Sequence, residues 1–182
     1  MNARDLGYIA MAVALISVSA WLALPIGNIP FTLQTAVVFL TAGLLGWKRA
    51  LLATLAYILL GMIGVPVFAG FTGGVGKILS PTGGYILGFL PIALTVGLAA
   101  NLIKKKTDKG RAVYLALSML AGLVACYVLG AVWFAFVVGN GSVGLWTALT
   151  TCVFPYLPLD IVKIFLATFL VIKLSKFVKT ER

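Results

Sequence analysis

The sequence predicts an all-α membrane protein built as one bundle of helices. Hydrophobic residues make up 62% of the chain and charged residues 10%, whereas about a quarter of a soluble domain is charged. The mean hydropathy is +1.14. At roughly 20 residues per span, the chain holds about six transmembrane helices with short loops. Because no room is left for a soluble domain, residues 1–182 are predicted to be a single transmembrane domain.

The first three spans follow from one long apolar run and the residues that interrupt it. The chain is uncharged from Leu6 to Trp47, which is long enough for two spans. Pro25–Pro30 breaks this run, because proline ends helices and favours turns. A basic turn then precedes the third span. The predicted spans are Leu6–Leu24, Phe31–Gly46 and Ala50–Gly64, and the basic turn is Trp47–Arg49.

Small side chains recur along the first span at three- and four-residue spacing. They are Gly7, Ala10, Ala14 and Ser17. Such a strip lets a second helix approach closely, which favours helix association in lipid. The strip is predicted to be a packing surface, and the spacing alone leaves open whether the second helix is internal or belongs to a partner.

A glycine-dense segment, Gly70–Gly84, follows the third span. Its Gly76-Lys77 pair resembles part of a phosphate-binding loop, but that motif needs glycine where Phe71 stands and Ser or Thr where Ile78 stands. The match fails at both positions. The segment is predicted to be an irregular loop, either at the surface or with its backbone against a ligand or the bundle.

The last three spans are separated by a charged cluster and by prolines. Lys104–Arg111 is the strongest charge cluster in the chain. Pro155 and Pro158 stop and restart the helix before the last span. Span five carries a second seam of small residues, Ser118, Gly122, Cys126 and Gly130. The predicted spans are Gly84–Ile103, Ala112–Val138 and Leu159–Leu174, with a short helix at Val143–Phe154 at the membrane surface or partway into it.

The basic residues fall almost entirely on one side of the predicted bundle. Of the 14 lysines and arginines, 12 fall on that side, and only Lys77 and Lys163 fall elsewhere. Because basic loops stay in the cytoplasm, both termini are predicted to be cytoplasmic. The same asymmetry explains the net charge of +10 without a nucleic-acid partner. The outer side then holds Pro25–Pro30, the glycine-dense segment and the Gly139–Ser142 turn.

Pro155–Lys163 is the most unusual stretch, because it places Asp160 and Lys163 at the start of an apolar run. On a helix this spacing puts both side chains on one face. Ionisable residues in a span are costly and usually face a cavity, the bundle interior or a partner. The pair therefore predicts a binding site. Two alternatives stay open: an ion pair that joins two helices, or a lysine that extends to the lipid headgroups.

The two charges define the kind of ligand that the site suits. A carboxylate accepts hydrogen bonds from N–H groups, and an ammonium donates to a carboxylate or carbonyl oxygen. One small molecule with N–H groups and an acceptor or acid would satisfy both. Gln34 adds an amide near the outer start of span two. Aromatic walls are predicted from Phe31, Phe71, Tyr85 and Tyr156, each of which has packing as its alternative role.

Several classes of function are disfavoured. The chain has no histidine, only one carboxylate within a span and no nucleophile beside a base, so we expect no enzyme, no metal and no cofactor. Cys126 and Cys152 lack CxxC spacing and are predicted to be buried free thiols. A transporter acting alone is also disfavoured, because there is neither a nucleotide-binding loop nor an internal repeat. A membrane-embedded binding subunit powered by other chains remains.

Three segments resemble those of the BioY family, the biotin-binding S components of energy-coupling-factor (ECF) vitamin transporters. They are Ile29–Ala36, the glycine-dense segment running into Ser80–Phe89, and Pro155–Lys163. The similarity covers essentially the whole chain. It implies a six-helix S component in the bacterial plasma membrane, with an outward-facing biotin site.

The resemblance also implies partners and site residues. Ala10 and Ala14 match the family's AxxxA motif, which docks onto a transmembrane coupling subunit that carries two cytoplasmic ATPase subunits. Asp160 is expected to accept from the ureido N–H groups, and Lys163 to meet the ureido oxygen or the tail carboxylate. The alternative is a membrane assembly or chaperone subunit without a small-molecule ligand. The predicted substrate contacts are Asp160, Lys163, Gln34, Phe31, Phe71, Gly73, Thr82, Tyr85 and Tyr156.

Overall fold

The computed structural model describes residues 2–24, 29–103, 107–138 and 144–177, and within these ranges the chain is a bundle of helices. The helices are α1 Ala3–Trp21, α2 Gln34–Leu45, α3 Trp47–Met62, α4 Val75–Ile78, α5 Gly83–Leu102, α6 Asp108–Trp133, α7 Leu145–Cys152 and α8 Leu157–Leu174. A π-helical turn, Phe134–Val138, extends α6, and two short strands, β1 Ala23–Leu24 and β2 Phe31–Thr32, pair with each other. The predicted turn Gly139–Ser142 and residues 25–28 of the predicted break lie outside the described residues.

Among the described residues, three helices are long and apolar enough to cross a membrane. They are α1, α5, and α6 together with its π-helical turn as far as Val137. The shorter helix α2 is also apolar. Helix α8 is continuous but contains three charged residues, Asp160, Lys163 and Lys173. The mostly helical membrane fold is therefore as predicted.

The end of span one differs from the prediction. We expected helix as far as Leu24, but α1 ends at Trp21 and Ala23–Leu24 forms β1. In this strand Ala23 is paired with Thr32, antiparallel to β2. The physical reason is this pairing, which takes Ala23 and Leu24 out of the helix, and Pro25 also disfavours the helical conformation in Leu24. The hairpin also shortens the second helix, so that α2 begins at Gln34 rather than at Phe31.

The predicted basic turn at Trp47–Arg49 is wrong, because these residues form the first turn of α3. The connection between α2 and α3 is reduced to Gly46, whose φ is +77°. Glycine adopts this left-handed conformation without the steric cost of a Cβ. The chain therefore reverses at one residue, and Arg49 pairs with Asp5 of α1.

The small-residue seam on α6 packs closely against α5, as predicted. A Cβ added at Gly88 of α5 would come within 2.6 Å of Cys126 Sγ, and one added at Gly122 would come within 3.1 Å of Ile92 Cα. This approach of two backbones is what small side chains permit. The α5–α6 pair has the most extensive contact in the described bundle, and α5 also packs on α2 and α3.

Helix α8 brings the charged pair into the bundle. It packs mainly against α2 and α6. It begins at Leu157 rather than the predicted Leu159, with Pro158 in its first turn, where proline is tolerated because the first N–H groups have no intrahelical partner. Both Asp160 and Lys163 are buried on the inward face of this helix.

Candidate functional site

A cavity of about 680 Å³, including the space at its mouth, lies between the helices at the end where α8 begins. The residues that line it come from seven of the helices, from β2 and from the segments between them. They are Ile29, Pro30, Phe31, Thr32, Gln34, Thr35, Tyr57, Ala69, Lys77, Thr82, Tyr85, Ile86, Phe89, Leu123, Cys126, Tyr127, Cys152, Tyr156, Asp160 and Lys163.

Asp160 and Lys163 form an ion pair in the wall of this cavity. Lys163 Nζ lies 2.6 Å from Asp160 Oδ1, and the two residues are only 4–5% exposed. The ammonium also donates to Thr32 O at 2.7 Å and to Thr35 Oγ1 at 3.4 Å. Because an ammonium has three N–H donors, Lys163 already uses all of them within the protein.

The second oxygen of Asp160 is held by Tyr127. The Tyr127 hydroxyl donates to Asp160 Oδ2 at 2.5 Å, a short distance typical of hydrogen bonds to a charged acceptor. A carboxylate has about four acceptor positions, and each oxygen of Asp160 here accepts one bond. Asp160 therefore keeps acceptor capacity for the N–H groups of a ligand.

Phe31 and Gln34 stand where the hairpin meets α2, next to the ion pair. The Lys163 ammonium lies 3.9 Å from the centroid of the Phe31 ring, within the range of a cation–π interaction. Gln34 accepts from Thr32 Oγ1 at 3.0 Å and donates to the Tyr57 hydroxyl at 2.6 Å. These contacts fix the orientation of the amide in the cavity wall.

Tyr85 and Tyr156 form aromatic walls whose hydroxyl groups are tied to the backbone. Tyr85 donates to Cys152 O at 2.9 Å, and Tyr156 donates to Ile29 O at 2.6 Å. Burial raises the pKa of the Tyr156 phenol, so it stays a hydrogen-bond donor at neutral pH. The bond from Tyr156 joins the start of α8 to the residue before Pro30, which itself lines the cavity.

Seven of the nine predicted substrate contacts line the cavity. Thr82 is among them, and its hydroxyl lies 3.0 Å from Ser80 Oγ. Phe71 and Gly73 are not part of the lining. Phe71 is 64% exposed and stacks on Trp21, with 4.9 Å between ring centroids. A Cβ at Gly73 would come within 2.8 Å of Gly64 O, so close backbone packing accounts for this glycine.

Several polar side chains of the cavity were not predicted from the sequence, and Tyr127 and Lys77 are the two that matter most for the chemistry. The others are Thr32, Thr35 and Tyr57. Tyr127 directly follows Cys126 in the seam of α6, and a tyrosine hydroxyl inside an apolar span was the available signal, since buried hydroxyls need partners. Lys77 stood out in the sequence as part of a failed phosphate-loop match and as a basic residue away from the cytoplasmic side, but it was not predicted as a site residue. The structure places it on α4, a short helix that the irregular-loop prediction did not contain.

The small-residue strip on α1 is mostly turned outward. Gly7, Ala10 and Ala14 are exposed, and a Cβ added at Gly7 would meet nothing within 4 Å. Ser17 differs from the other three, because it is buried and donates to Val13 O at 2.8 Å. The inner side of α1 instead packs through Ile9 and Ala12 against Ala53 of α3. Ala10 and Ala14 thus belong to an outward-facing surface.

Metal binding finds no support in the described part of the chain. No group of three or more His, Cys, Asp or Glu side chains is gathered there. Cys126 and Cys152 are buried free thiols, as predicted. Burial raises the pKa of the Cys152 thiol to about 11, so this thiol stays protonated. The chemistry of the cavity is therefore hydrogen bonding and ion pairing in an apolar frame.

Comparisons with known proteins agree with one another. The BioY family model matches residues 1–180 of this chain. The biotin transporter BioY of Thermotoga maritima is 41% identical over 163 residues, which are 90% of each chain. The probable biotin transporter BioY of Pyrococcus horikoshii is 38% identical over 163 residues, 90% of this chain and 91% of that one. The crystal structure of the S-component for biotin from an ECF-type ABC transporter superimposes with a TM-score of 0.82 at 27% identity, covering 97% of this chain and 95% of that one.

Proposed function

This chain belongs to the BioY family, and we propose that it is the membrane-embedded biotin-binding subunit, or S component, of an ECF transporter. The observation that carries the proposal is the buried group formed by Asp160, Lys163 and Tyr127 in the cavity wall. Buried charges without a functional reason are rare in membrane spans. The subunit acts by binding and is not an enzyme.

The chemistry of biotin fits the hydrogen-bonding capacity of this group. The ureido ring of biotin offers two N–H donors and one carbonyl oxygen, and its tail ends in a carboxylate. Asp160 accepts from the ureido N–H groups, using the lone pairs that Lys163 and Tyr127 leave open. Lys163 donates a hydrogen bond to the ureido oxygen. This bond replaces its longest one, which it donates to Thr35 Oγ1 at 3.4 Å. Gln34, Tyr85 and Tyr156 complete the walls around the ring system.

Phe71 and Gly73 have a different role in this proposal. Phe71 stacks on Trp21 outside the cavity, and Gly73 allows the close backbone approach to Gly64. Both therefore shape the glycine-dense segment. Thr82, at its end, lines the cavity and is placed to contact the ligand.

The topology we propose has six membrane helices, α1, α2, α3, α5, α6 and α8, with both termini in the cytoplasm. Arg4, Lys48 and Lys173 then lie on the cytoplasmic side with the other basic residues, as the distribution of positive charge favours. The cavity opens toward the outside of the bacterial plasma membrane. Helix α7 lies near the outer interface, where Trp146 is exposed.

The partners we propose are a transmembrane coupling subunit and two cytoplasmic ATPase subunits. The chain has no nucleotide-binding loop of its own, because the glycine-dense segment lacks the required residues at Phe71 and Ile78. The coupling subunit docks on the outward face of α1 at Ala10 and Ala14, where small side chains allow close helix contact. No nucleic acid is involved.

Equilibrium binding of radiolabelled biotin to the detergent-purified chain tests the proposal. We expect saturable binding at one site per chain, which unlabelled biotin displaces. The absence of binding by a folded preparation would instead favour an assembly subunit that has no small-molecule ligand.

A further inference from the structure

Lys77 is a second cation in the wall of the same cavity. It lies on α4, which contacts α3 and α5, whereas Asp160 and Lys163 lie on α8, which contacts α2 and α6. The backbone of Lys77 is anchored on both sides. Its N–H donates to Gly74 O at 3.1 Å, and its carbonyl accepts from Ser80 Oγ at 2.6 Å. The side chain is half-buried.

The acids of the described residues are all paired with cations other than Lys77. Asp5 pairs with Arg49, and Asp160 with Lys163. Asp108 lies 3.7 Å from Arg111 and 3.6 Å from Lys176. The chain has four acids, and the fourth, Glu181, belongs to the basic tail after α8. Lys77 therefore has no acid partner in the part of the chain that the structure describes.

The charges in the cavity wall do not cancel. Asp160 and Lys163 neutralise each other, which leaves the single positive charge of Lys77. A cavity of this charge matches a ligand that carries one negative charge. Lys163 is poorly suited to hold that charge, because its bonds to Thr32 and Asp160 are short. Its one long bond, of 3.4 Å to Thr35, is the one that the proposed function replaces by a bond to the ureido oxygen. An anion at Lys163 would also stand beside the carboxylate of Asp160, and like charges repel.

We propose that Lys77 binds the carboxylate of the ligand and that the Asp160–Lys163 pair binds its uncharged, N–H-bearing end. The proposal rests on the proposed function, because it assigns the two ends of biotin to two sides of one cavity. It makes Lys77 a specificity determinant, selecting acids over their neutral derivatives. The glycine-dense segment thus contributes to the site through a side chain, in addition to its close backbone packing.

The test compares biotin with biotinamide, its neutral amide, in equilibrium binding to purified variants. Lys77→Gln removes the cation, and Lys77→Arg keeps it. Lys48→Gln is the matched control, since it removes the same charge at an exposed position that does not line the cavity. A charge-assisted hydrogen bond predicts about a 10- to 100-fold loss of biotin affinity in Lys77→Gln. We expect no loss for biotinamide in that variant, and near wild-type biotin affinity in Lys77→Arg and Lys48→Gln.

The outcomes separate the two proposals. If wild-type protein binds biotin but Lys77→Gln binds it equally well, Lys77 extends to the membrane surface and the assignment is overturned, while the proposed function stands. An equal loss of affinity for biotin and biotinamide in Lys77→Gln would also overturn the assignment, because the effect would not depend on the ligand's carboxylate. If wild-type protein binds neither compound, the proposed function itself fails.

Discussion

Asp160 and Lys163 illustrate what a buried ion pair requires from its surroundings. Moving two charges out of water is costly, and their mutual attraction offsets this cost only if further hydrogen bonds complete the pair. Here Tyr127 donates to the carboxylate, and Thr32 and Thr35 accept from the ammonium. The carboxylate and the ammonium therefore each have hydrogen-bond partners in addition to one another. Removing one member leaves the other charge buried without its partner.

Asp160→Asn is expected to weaken biotin binding about 10- to 150-fold, because one charge-assisted hydrogen bond contributes about 1.5–3 kcal/mol. The variant is also expected to unfold at a lower temperature without ligand, since Lys163 loses its carboxylate partner. Both effects are measured on detergent-purified protein, by equilibrium binding and by thermal unfolding. Wild-type affinity in a folded Asp160→Asn protein would show that the ligand does not use this carboxylate.

Tyr127→Phe removes one hydroxyl and keeps the charge of Asp160. We expect a smaller loss of biotin affinity than in Asp160→Asn, because the carboxylate is still present but is less firmly oriented. Tyr114→Phe is the control, since it makes the same change at an exposed position on α6 that does not line the cavity. The comparison uses the same binding assay. An equal response of the two tyrosine variants would mean that Tyr127 has no role in positioning Asp160.

Helix α1 has two faces with different surroundings. Its inner face packs Ile9 and Ala12 against Ala53 of α3. Its outer face presents Ala10 and Ala14. A helix whose small side chains point away from its own bundle has room for the backbone of another helix. We therefore propose the outer face of α1 as the surface that contacts the coupling subunit.

Ala10→Trp and Ala14→Trp are each expected to abolish ATP-driven biotin uptake by the assembled transporter while leaving biotin affinity of the isolated subunit nearly unchanged. The bulky ring would hold the partner helix away from α1. Ala121→Trp is the control, because it makes the same substitution on an exposed position of α6. Uptake is measured in cells and affinity on purified protein. Loss of biotin affinity in the α1 variants would show that Ala10 and Ala14 pack inside the bundle. Normal uptake would show that the outer face of α1 does not dock onto a partner.

The whole molecule is polarised along the axis of the bundle. Arg49 of α3 pairs with Asp5 of α1, and Lys176, just after α8, pairs with Asp108 of α6, whereas the cavity lies at the end where α8 begins. The positive-inside rule supports the direction that we propose for the chain in the membrane. An outward-facing cavity is what a subunit that captures a vitamin from outside the cell requires.

Single cysteines test this direction in intact cells with a membrane-impermeant maleimide. Gly76→Cys on α4 is expected to react, because this position is exposed and a Cβ there meets nothing within 4 Å. Asn2→Cys, on the cytoplasmic side, is expected to react only after the cells are opened. The wild-type chain serves as the background, since Cys126 and Cys152 are buried. The reverse pattern of labelling would invert the proposed topology.

The order of the spans could be predicted from the sequence because it depends on local properties. Apolar runs, prolines and basic clusters act over a few residues, and they placed the helices to within a few positions. Span one was extended too far because antiparallel pairing of Ala23 with Thr32 depends on two strands meeting in space. The turn at Gly46 was misplaced because a single glycine with positive φ replaced the expected basic turn.

The sequence by itself determined the membrane fold class and the family, and it singled out Asp160 and Lys163 as candidate site residues, since their charges are exceptional in an apolar run. Only the tertiary structure decided what surrounds them. Tyr127 lies on a different helix, and its contact with Asp160 depends on how α6 packs against α8. Lys77 reaches the cavity because α4 packs against α3 and α5. Contacts between distant parts of a chain depend on helix rotation and packing, which the spacing of residues along one helix does not specify.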